Sequence, residues 1–225
     1  MVYEEFFEGA ASGVFVDVGA ARPDFLSISA LYRAIGWRVI AIEPNPDFCE
    51  LHRSRGYEVL QYACGDRDED NVDFTIVDSH ECDYRGGRVS YESFSSLGIK
   101  DSYAMLKSDL DTRKIKVRLR RLDTLLATHA QDIRRIDVVS VDVEGWEREV
   151  LNGLNFRKYR PRVLIIENFF SDDAYRRYMA ERGYVLWRVI EPNDVYVRAT
   201  PLSGFAQRLR RLLGMMSPPT AASID

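Results

Sequence analysis

VFVDVGA, residues 14–20, is a short run dominated by β-branched residues that closes on a glycine, which reads as a buried strand ending in a tight turn. The stretch after it, PDFLSISALYRAIGW, sets Phe25, Ile28, Leu31, Tyr32 and Ile35 at helical spacing, with Gly36 as its stop. VIAIEPN (Val39 to Asn45) is then a second strand, closed by the prolines at 44 and 46. A helix from Asp47 to about Arg55 leads to a third strand in YEVLQYACGD, Tyr57 to Asp66. Strand and helix alternating in this way build a parallel sheet covered by helices on both faces.

The alternation pauses over residues 67–135. Within that insertion NVDFTIV (Asn71 to Val77) alternates like an exposed strand, and KIKVRLRRL (Lys114 to Leu122) does so more clearly. Between them Asp78 to Thr112 is rich in Ser, Tyr, Asp and Gly, as expected of an elaborated loop over one end of the sheet. Regular order resumes with IDVVSVDVEG (Ile136 to Gly145), a helix over about Trp146 to Leu154, the strand VLIIEN (Val163 to Asn168) and a helix over Asp172 to Arg182. YVLWRVI and DVYVR, separated by EPN, form an antiparallel hairpin (Tyr184 to Ile190, Asp194 to Arg198). The expected fold is therefore α/β, a doubly wound sheet ending in that hairpin, over residues 1–200. A C-terminal helix at about Ser203 to Leu213, with Phe205, Leu209, Leu212 and Leu213 on one side, and a disordered tail are expected beyond it.

Composition narrows the partners. The chain has 225 residues, 46% of them hydrophobic, enough for one continuous core. A formal charge of -4 gives no net attraction to nucleic acid or to an anionic membrane. No apolar stretch approaches the ~18–20 residues of a membrane span, and the acidic start MVYEEFFE is unlike a secretory signal. The three cysteines, Cys49, Cys64 and Cys82, have neither disulfide-framework nor zinc spacing, so reduced thiols and a cytoplasmic location are expected. The basic alternation Lys114, Lys116, Arg118, Arg120 reads as the solvated face of a strand.

Ligands of open α/β sheets lie beyond the carboxyl ends of the strands, where strand order reverses. The four strand ends that meet there are Asp17 to Ala21, Glu43 to Asn45, Ala63 to Asp66 and Asp142 to Gly145, and each carries an acid. A dinucleotide needs a glycine-rich turn free of negative charge for its pyrophosphate; this turn has one glycine and Asp17 at its mouth. S-adenosylmethionine has the opposite profile, with a cationic sulfonium and ammonium, a ribose diol and no phosphate. An acid for the methionine part at the first strand end and one for the ribose at the second, Glu43, suit that ligand. Taken singly, Asp17 could instead cap the following helix and Glu43 could be a solvated strand end.

These stretches resemble the FkbM family of S-adenosylmethionine-dependent methyltransferases from Val14 to about Asn168. The resemblance rests on VDVGA (16–20), GWRVIAIEPNP (36–46), YACGD (62–66), and VDVEGWEREVLNG (141–153) followed by PRVLIIEN. The chain departs from the family at Pro23, where a glycine is usual. The resemblance implies a class I, Rossmann-like methyltransferase acting on hydroxyls of a small polar acceptor, a saccharide or natural product. It implies Asp17, Gly19 and Ala20 at the methionine part, Glu43 with Pro44 and Asn45 at the ribose, and Ala63, Cys64 and Asp66 around the adenine. Asp142 is then the floor under the sulfonium.

Methyl transfer is an in-line displacement, so positioning supplies most of the catalysis and a general base adds to it. The candidate bases are Asp142, Glu144 and, in the polar loop, His80. Tyr84, Tyr91 and Ser93 to Ser96 can offer hydroxyls to the acceptor. Asp142, Glu167 and Asn168 also resemble the magnesium ligands of catechol-type O-methyltransferases; Mg2+ is compatible with the pattern and not required by it, and the alternative is a Glu144 that caps its helix and a Glu167 paired with an arginine such as Arg162. His52 and His129 read as solvated helix residues. Two other readings stay open on sequence grounds: a nucleic-acid methyltransferase using the basic strand, and a non-catalytic cofactor-binding protein. Oligomeric state and acceptor identity are not encoded in any motif.

Overall fold

The computed structural model describes residues 1–78, 81–84, 87–90, 95–98 and 111–199. His80, Tyr91, most of the polar loop and the C-terminal helix and tail lie outside the described residues. No helix among the described residues is long and apolar enough to cross a membrane.

Seven strands form the main sheet: β1 (Val14–Val18), β2 (Arg38–Ile42), β3 (Val59–Leu60), β9 (Val138–Val141), β10 (Val163–Glu167), β11 (Tyr184–Ile190) and β12 (Asn193–Arg198). Their spatial order is β11-β12-β10-β9-β1-β2-β3, parallel from β3 to β10 and antiparallel where β12 joins β10 and β11. The chain leaves β1 toward β2 on one side and later returns to β9 on the other. The reversal of strand order, where α/β sheets open a ligand crevice, is thus the β1/β9 boundary.

The period of two along β1 assigns its faces. Val16 and Val18 join the larger core with α4 (Leu122–His129), α5 (Glu147–Asn152), α6 (Phe156–Tyr159) and α7 (Ala174–Glu181). Phe15 points the other way, into a cluster with Phe7 of α1 (Val2–Phe7), Tyr32 of α2 (Ala30–Ala34) and Trp37. Asp17 shares the Phe15 side, which proves decisive for its role.

Three expectations need correction. The helix expected after β1 shrinks to Ala30–Ala34, because Leu26 takes φ +54 and breaks the turn before it; Phe25 and Leu31, expected on its apolar face, are exposed. The third strand divides: Val59–Leu60 pairs with β2, whereas β4 (Ala63–Gly65) leaves the main sheet. The insertion is also more than a loop. β5 (Glu69–Asp78) and β8 (Asp111–Arg121) pair antiparallel over most of their length and, with β4, make a three-stranded sheet; β6 (Glu81–Tyr84) and β7 (Gly87–Ser90) add a hairpin. Phe74 and Ile76 of β5 pack on Val117 and Leu119 of β8, so β5 is a half-buried strand rather than an exposed one. The charged alternation of β8 does face solvent at Lys114, Lys116 and Arg118.

The small sheet docks through a glycine. Gly153, just after α5, lies so close to β4 that a Cβ on it would stand 2.1 Å from the Gly65 carbonyl oxygen. Gly36, at φ +86, has open space around it. Gly153→Ala is expected to cost about 3 kcal/mol by forced separation of the two layers, and Gly36→Ala about 1 kcal/mol by backbone strain alone. Urea unfolding of the two variants measures both; equal losses would show that the close approach is not what limits position 153.

Candidate functional site

The turn after β1 is built from backbone contacts. Gly19 takes φ +77, and a Cβ there would stand 1.8 Å from the carbonyl oxygen of Asp142, so the β1 and β9 turns touch main chain to main chain. The Gly19 and Ala20 amides both donate to the Ile42 carbonyl, at 3.0 and 3.2 Å. Ala21 follows at φ +43 and donates its amide to Glu43 Oε2 at 2.9 Å, while the Asn45 amide donates to Glu43 Oε1 at 2.8 Å. Glu43 is thereby fixed at the end of β2 with both oxygens oriented and lone pairs left over. Burial pushes its carboxyl up to about 7 in spite of the two amides, and the neighbouring Asp17 and Asp142 add to the effect.

His52 of α3 (Pro46–Ser54) holds this turn from beneath. Its Nε2 lies 3.0 Å from the Ala21 carbonyl, which can only accept, so Nε2 carries the proton. The ring is fully buried, not solvated as its helix position suggested, and that burial lowers its pKa. His129, by contrast, is exposed at the end of α4.

At the β9 end Asp142 donates its amide to the Val18 carbonyl at 3.0 Å, continuing the parallel ladder. The chain then turns through Glu144 at φ +57 and Gly145 at φ +95. Glu147, on the first turn of α5 and buried, clasps this turn: its Oε1 accepts from Val143 N (3.2 Å) and Gly145 N (2.9 Å), and its Oε2 accepts from the Tyr175 hydroxyl of α7 (2.8 Å). The N-cap of α5 is Trp146 rather than Glu144, and the acid that accepts from the turn's amides is Glu147. Asp142 is hydrogen-bonded to the Glu167 side chain at the end of β10, an arrangement in which two carboxyls share a proton. Burial, with Glu147 and Asp17 nearby, raises Asp142 to about 7.

Carboxylate oxygens of Asp142, Glu144 and Glu167 lie within 4.8 Å of one another, a spacing compatible with one divalent cation. Asn168 is not in that group. Its amide nitrogen donates to Asp194 Oδ2 and to the Asp172 carbonyl, and its oxygen accepts from the Asp172 amide. Arg162 does not reach for Glu167 either, since its guanidinium lies 4.8 Å over the Phe7 ring.

A partly open cavity lies between these turns and the small sheet. Gly19, Glu43, Pro44, Ala63, Cys64 and Asp142 line it. Other residues of the sequence reading stand elsewhere. Asp17 is buried on the α2 side, hydrogen-bonded to Ser29 and close to Arg33. Ala20 is buried in the turn, and Asn45 caps α3 by accepting from the Asp47 amide at 3.0 Å. Asp66 is exposed beside Arg67, and Glu144 is buried against the carboxylates just described.

Lining residues absent from the sequence reading include Phe48, Tyr62, Phe74, Leu97 and Trp146. Tyr62 and Trp146 sit inside the quoted motifs and could have been proposed from them. Phe74 and Leu97 reach the cavity only because the insertion folds back over β4.

Two measurements test this geometry. In the ligand-free protein, ionised Glu43 and Asp142 oppose folding above their raised pKa of about 7, and protonation relieves that penalty as pH falls. Melting temperature should rise by about 4 °C between pH 8 and pH 6.5, the lower limit chosen because buried neutral His52 opposes folding below the ordinary histidine pKa. Glu43→Gln should remove about half of that rise. Separately, Tyr175→Phe deletes one partner of Glu147 and should cost about 1 kcal/mol of stability, whereas Glu147→Ala, which orphans two amides and a phenol, should cost about 3 kcal/mol or more.

The family model of the methyltransferase FkbM domain matches residues 17–186. Among solved structures, a methyltransferase FkbM from Methylobacillus flagellatus KT is similar in fold, with a TM-score of 0.50 and 18% identity. The alignment covers 83% of this chain but only 44% of that one, so this chain spans less than half the length of its solved relative. No curated protein matches the chain. With a sheet reversing at β1/β9 and a family match that runs from Asp17 to Leu186, the chain belongs to the FkbM methyltransferase domain family.

Proposed function

We propose that the protein is an S-adenosylmethionine-dependent methyltransferase that transfers a methyl group to a hydroxyl of a small, polyhydroxylated acceptor such as a saccharide or natural product. The observation that carries this reading is the fixed carboxylate of Glu43, held by Ala21 N and Asn45 N in one cavity with Asp142 and with Gly19, whose missing side chain leaves the turn bare. Such a pocket repels a pyrophosphate and attracts a cation carrying a vicinal diol.

The bound cofactor supplies a methyl carbon activated by positive sulfur. Glu43 accepts from the ribose hydroxyls through its remaining lone pairs. Gly19 lets the methionine part approach the main chain, and the apolar wall of Phe48, Phe74 and Leu97 takes the base. Asp142 faces the sulfonium charge and, once ionised, can receive the acceptor's hydroxyl proton, with Glu167 as its hydrogen-bonded relay. Glu144 completes the acidic wall. Mg2+ could be held by Asp142, Glu144 and Glu167, where it would polarise the acceptor oxygen; no step above depends on it. The polar loop that includes His80 is the proposed acceptor lid.

Calorimetry with S-adenosylmethionine at pH 7, in two buffers of different ionisation enthalpy, should show binding with release of about one proton, since a cation and a diol both favour ionised carboxylates. Glu43→Ala should weaken binding about 30- to 100-fold, as expected for losing charge-assisted hydrogen bonds. Asp142→Ala should slow transfer of labelled methyl into fractionated host metabolites by about 100-fold or more. Absence of binding would refute the cofactor assignment. Transfer into RNA with steep salt dependence would instead support the nucleic-acid reading, and binding without any transfer would mark a non-catalytic protein.

A further inference from the structure

Ser96 stands out among the buried polar residues. It is 1% exposed and lines the cavity, and among the described residues its hydroxyl has no hydrogen-bond partner. An orphaned buried hydroxyl costs roughly 1–3 kcal/mol, a penalty that a ligand able to reach it would remove.

The position of Ser96 is not left to chance. Its carbonyl accepts from the Thr75 amide of β5 at 2.8 Å and its amide donates to the Thr75 carbonyl at 2.9 Å, as an extra bridge on the edge of the small sheet. One residue earlier, Ser95 Oγ accepts from the Val77 amide at 3.1 Å. Two residues later, the Gly98 carbonyl accepts from Trp146 Nε1 at 3.0 Å, which ties the strap to the turn that carries Asp142. Residues 95–98 are therefore anchored at both ends across the cavity, with the Ser95 hydroxyl and the Gly98 carbonyl committed to structure and the Ser96 hydroxyl without a partner among the described residues.

Several residues that line the cavity with it are apolar. Phe74, Leu97, Cys64 and Ala63 offer flat or small apolar contacts and no charge, and Tyr62 is held there under the Arg118 guanidinium at 4.2 Å. A purine ring fits such walls, but its amino-pyrimidine edge carries a donor at N6 and an acceptor at N1 that need a polar partner. Asp66, the acid expected near the base, is exposed and salt-bridged to Arg67 outside the cavity. A hydroxyl can both donate and accept, so one group can serve that edge. Resting on the cofactor reading above, we infer that Ser96, delivered by the insertion strap, is the residue that hydrogen-bonds the adenine edge and sets the protein's preference for an adenine nucleoside.

The test is calorimetry of wild type and Ser96→Ala with S-adenosylhomocysteine and its 6-deamino and 1-deaza analogues, alongside thermal melting of the ligand-free proteins. Wild type should bind at least one analogue about five- to tenfold more weakly than the parent. Ser96→Ala should bind the parent that much more weakly and no longer distinguish it from the analogues. Because the hydroxyl has no partner among the described residues of the ligand-free protein, the variant should melt at the same temperature or higher, the opposite of what a structural serine gives. Undiminished discrimination in the variant, or a lower melting temperature with unchanged parent affinity, overturns the inference while leaving the cofactor reading intact. Failure of wild type to bind S-adenosylhomocysteine overturns both.

Discussion

Everything at the site depends on main chain touching main chain at Gly19. With any side chain there, the carbonyl of Asp142 would have to move, and with it the junction between β1 and β9. That junction is where the sheet reverses, so the contact sets how far the Glu43 side of the cavity stands from the Asp142 side. Ala21 and Glu144 sustain the arrangement at positive φ, conformations ordinarily costly for residues with a Cβ. Glu43 and Glu147, each accepting two main-chain amides, hold those turns in place.

The same carboxylates that shape the turns also charge them. Asp17, Glu43, Asp142 and Glu147 are all shifted upward by burial, and Asp17, Glu43 and Asp142 repel one another around the reversal point. In the ligand-free protein this is a liability, relieved in part by a proton shared between Asp142 and Glu167. A cationic ligand of the kind proposed above would relieve it more fully, and on that proposal the fold gives up stability for a preorganised site.

The insertion extends this logic from charge to shape. By leaving the main sheet at β4 the chain creates a second small core, and Phe74, Ser96 and Leu97 are brought over a cavity whose other walls belong to the parallel sheet. Gly153 permits the two layers to meet, and Trp146 ties the strap to the turn that carries Asp142. The polar end of the cavity is thus the work of the parallel sheet, while Phe74 and Leu97 of the insertion add to its apolar walls.

The alternating strands and helices, the antiparallel finish and the acids at four strand ends were legible in the sequence, because period-two burial and turn residues are local signals. Local signals also misled. Apolar residues at helical spacing did not make a long helix after β1, since Leu26 at positive φ interrupts it, and His52 looked solvated until the Ala21 carbonyl claimed it. Which acids face the cavity could be read only in part: Glu43 and Asp142 line it, but Asp17 turns to Ser29 on the α2 side, Asp66 to solvent, and Asn168 to Asp194, while Glu147 and Ser96 gain their places from contacts 28 and 21 residues away in the chain. The sequence alone determined that a sheet would reverse and that negative charge would gather at the reversal. Only the tertiary structure decided which side chains point inward, because that depends on strand parity and on layers packed from distant parts of the chain.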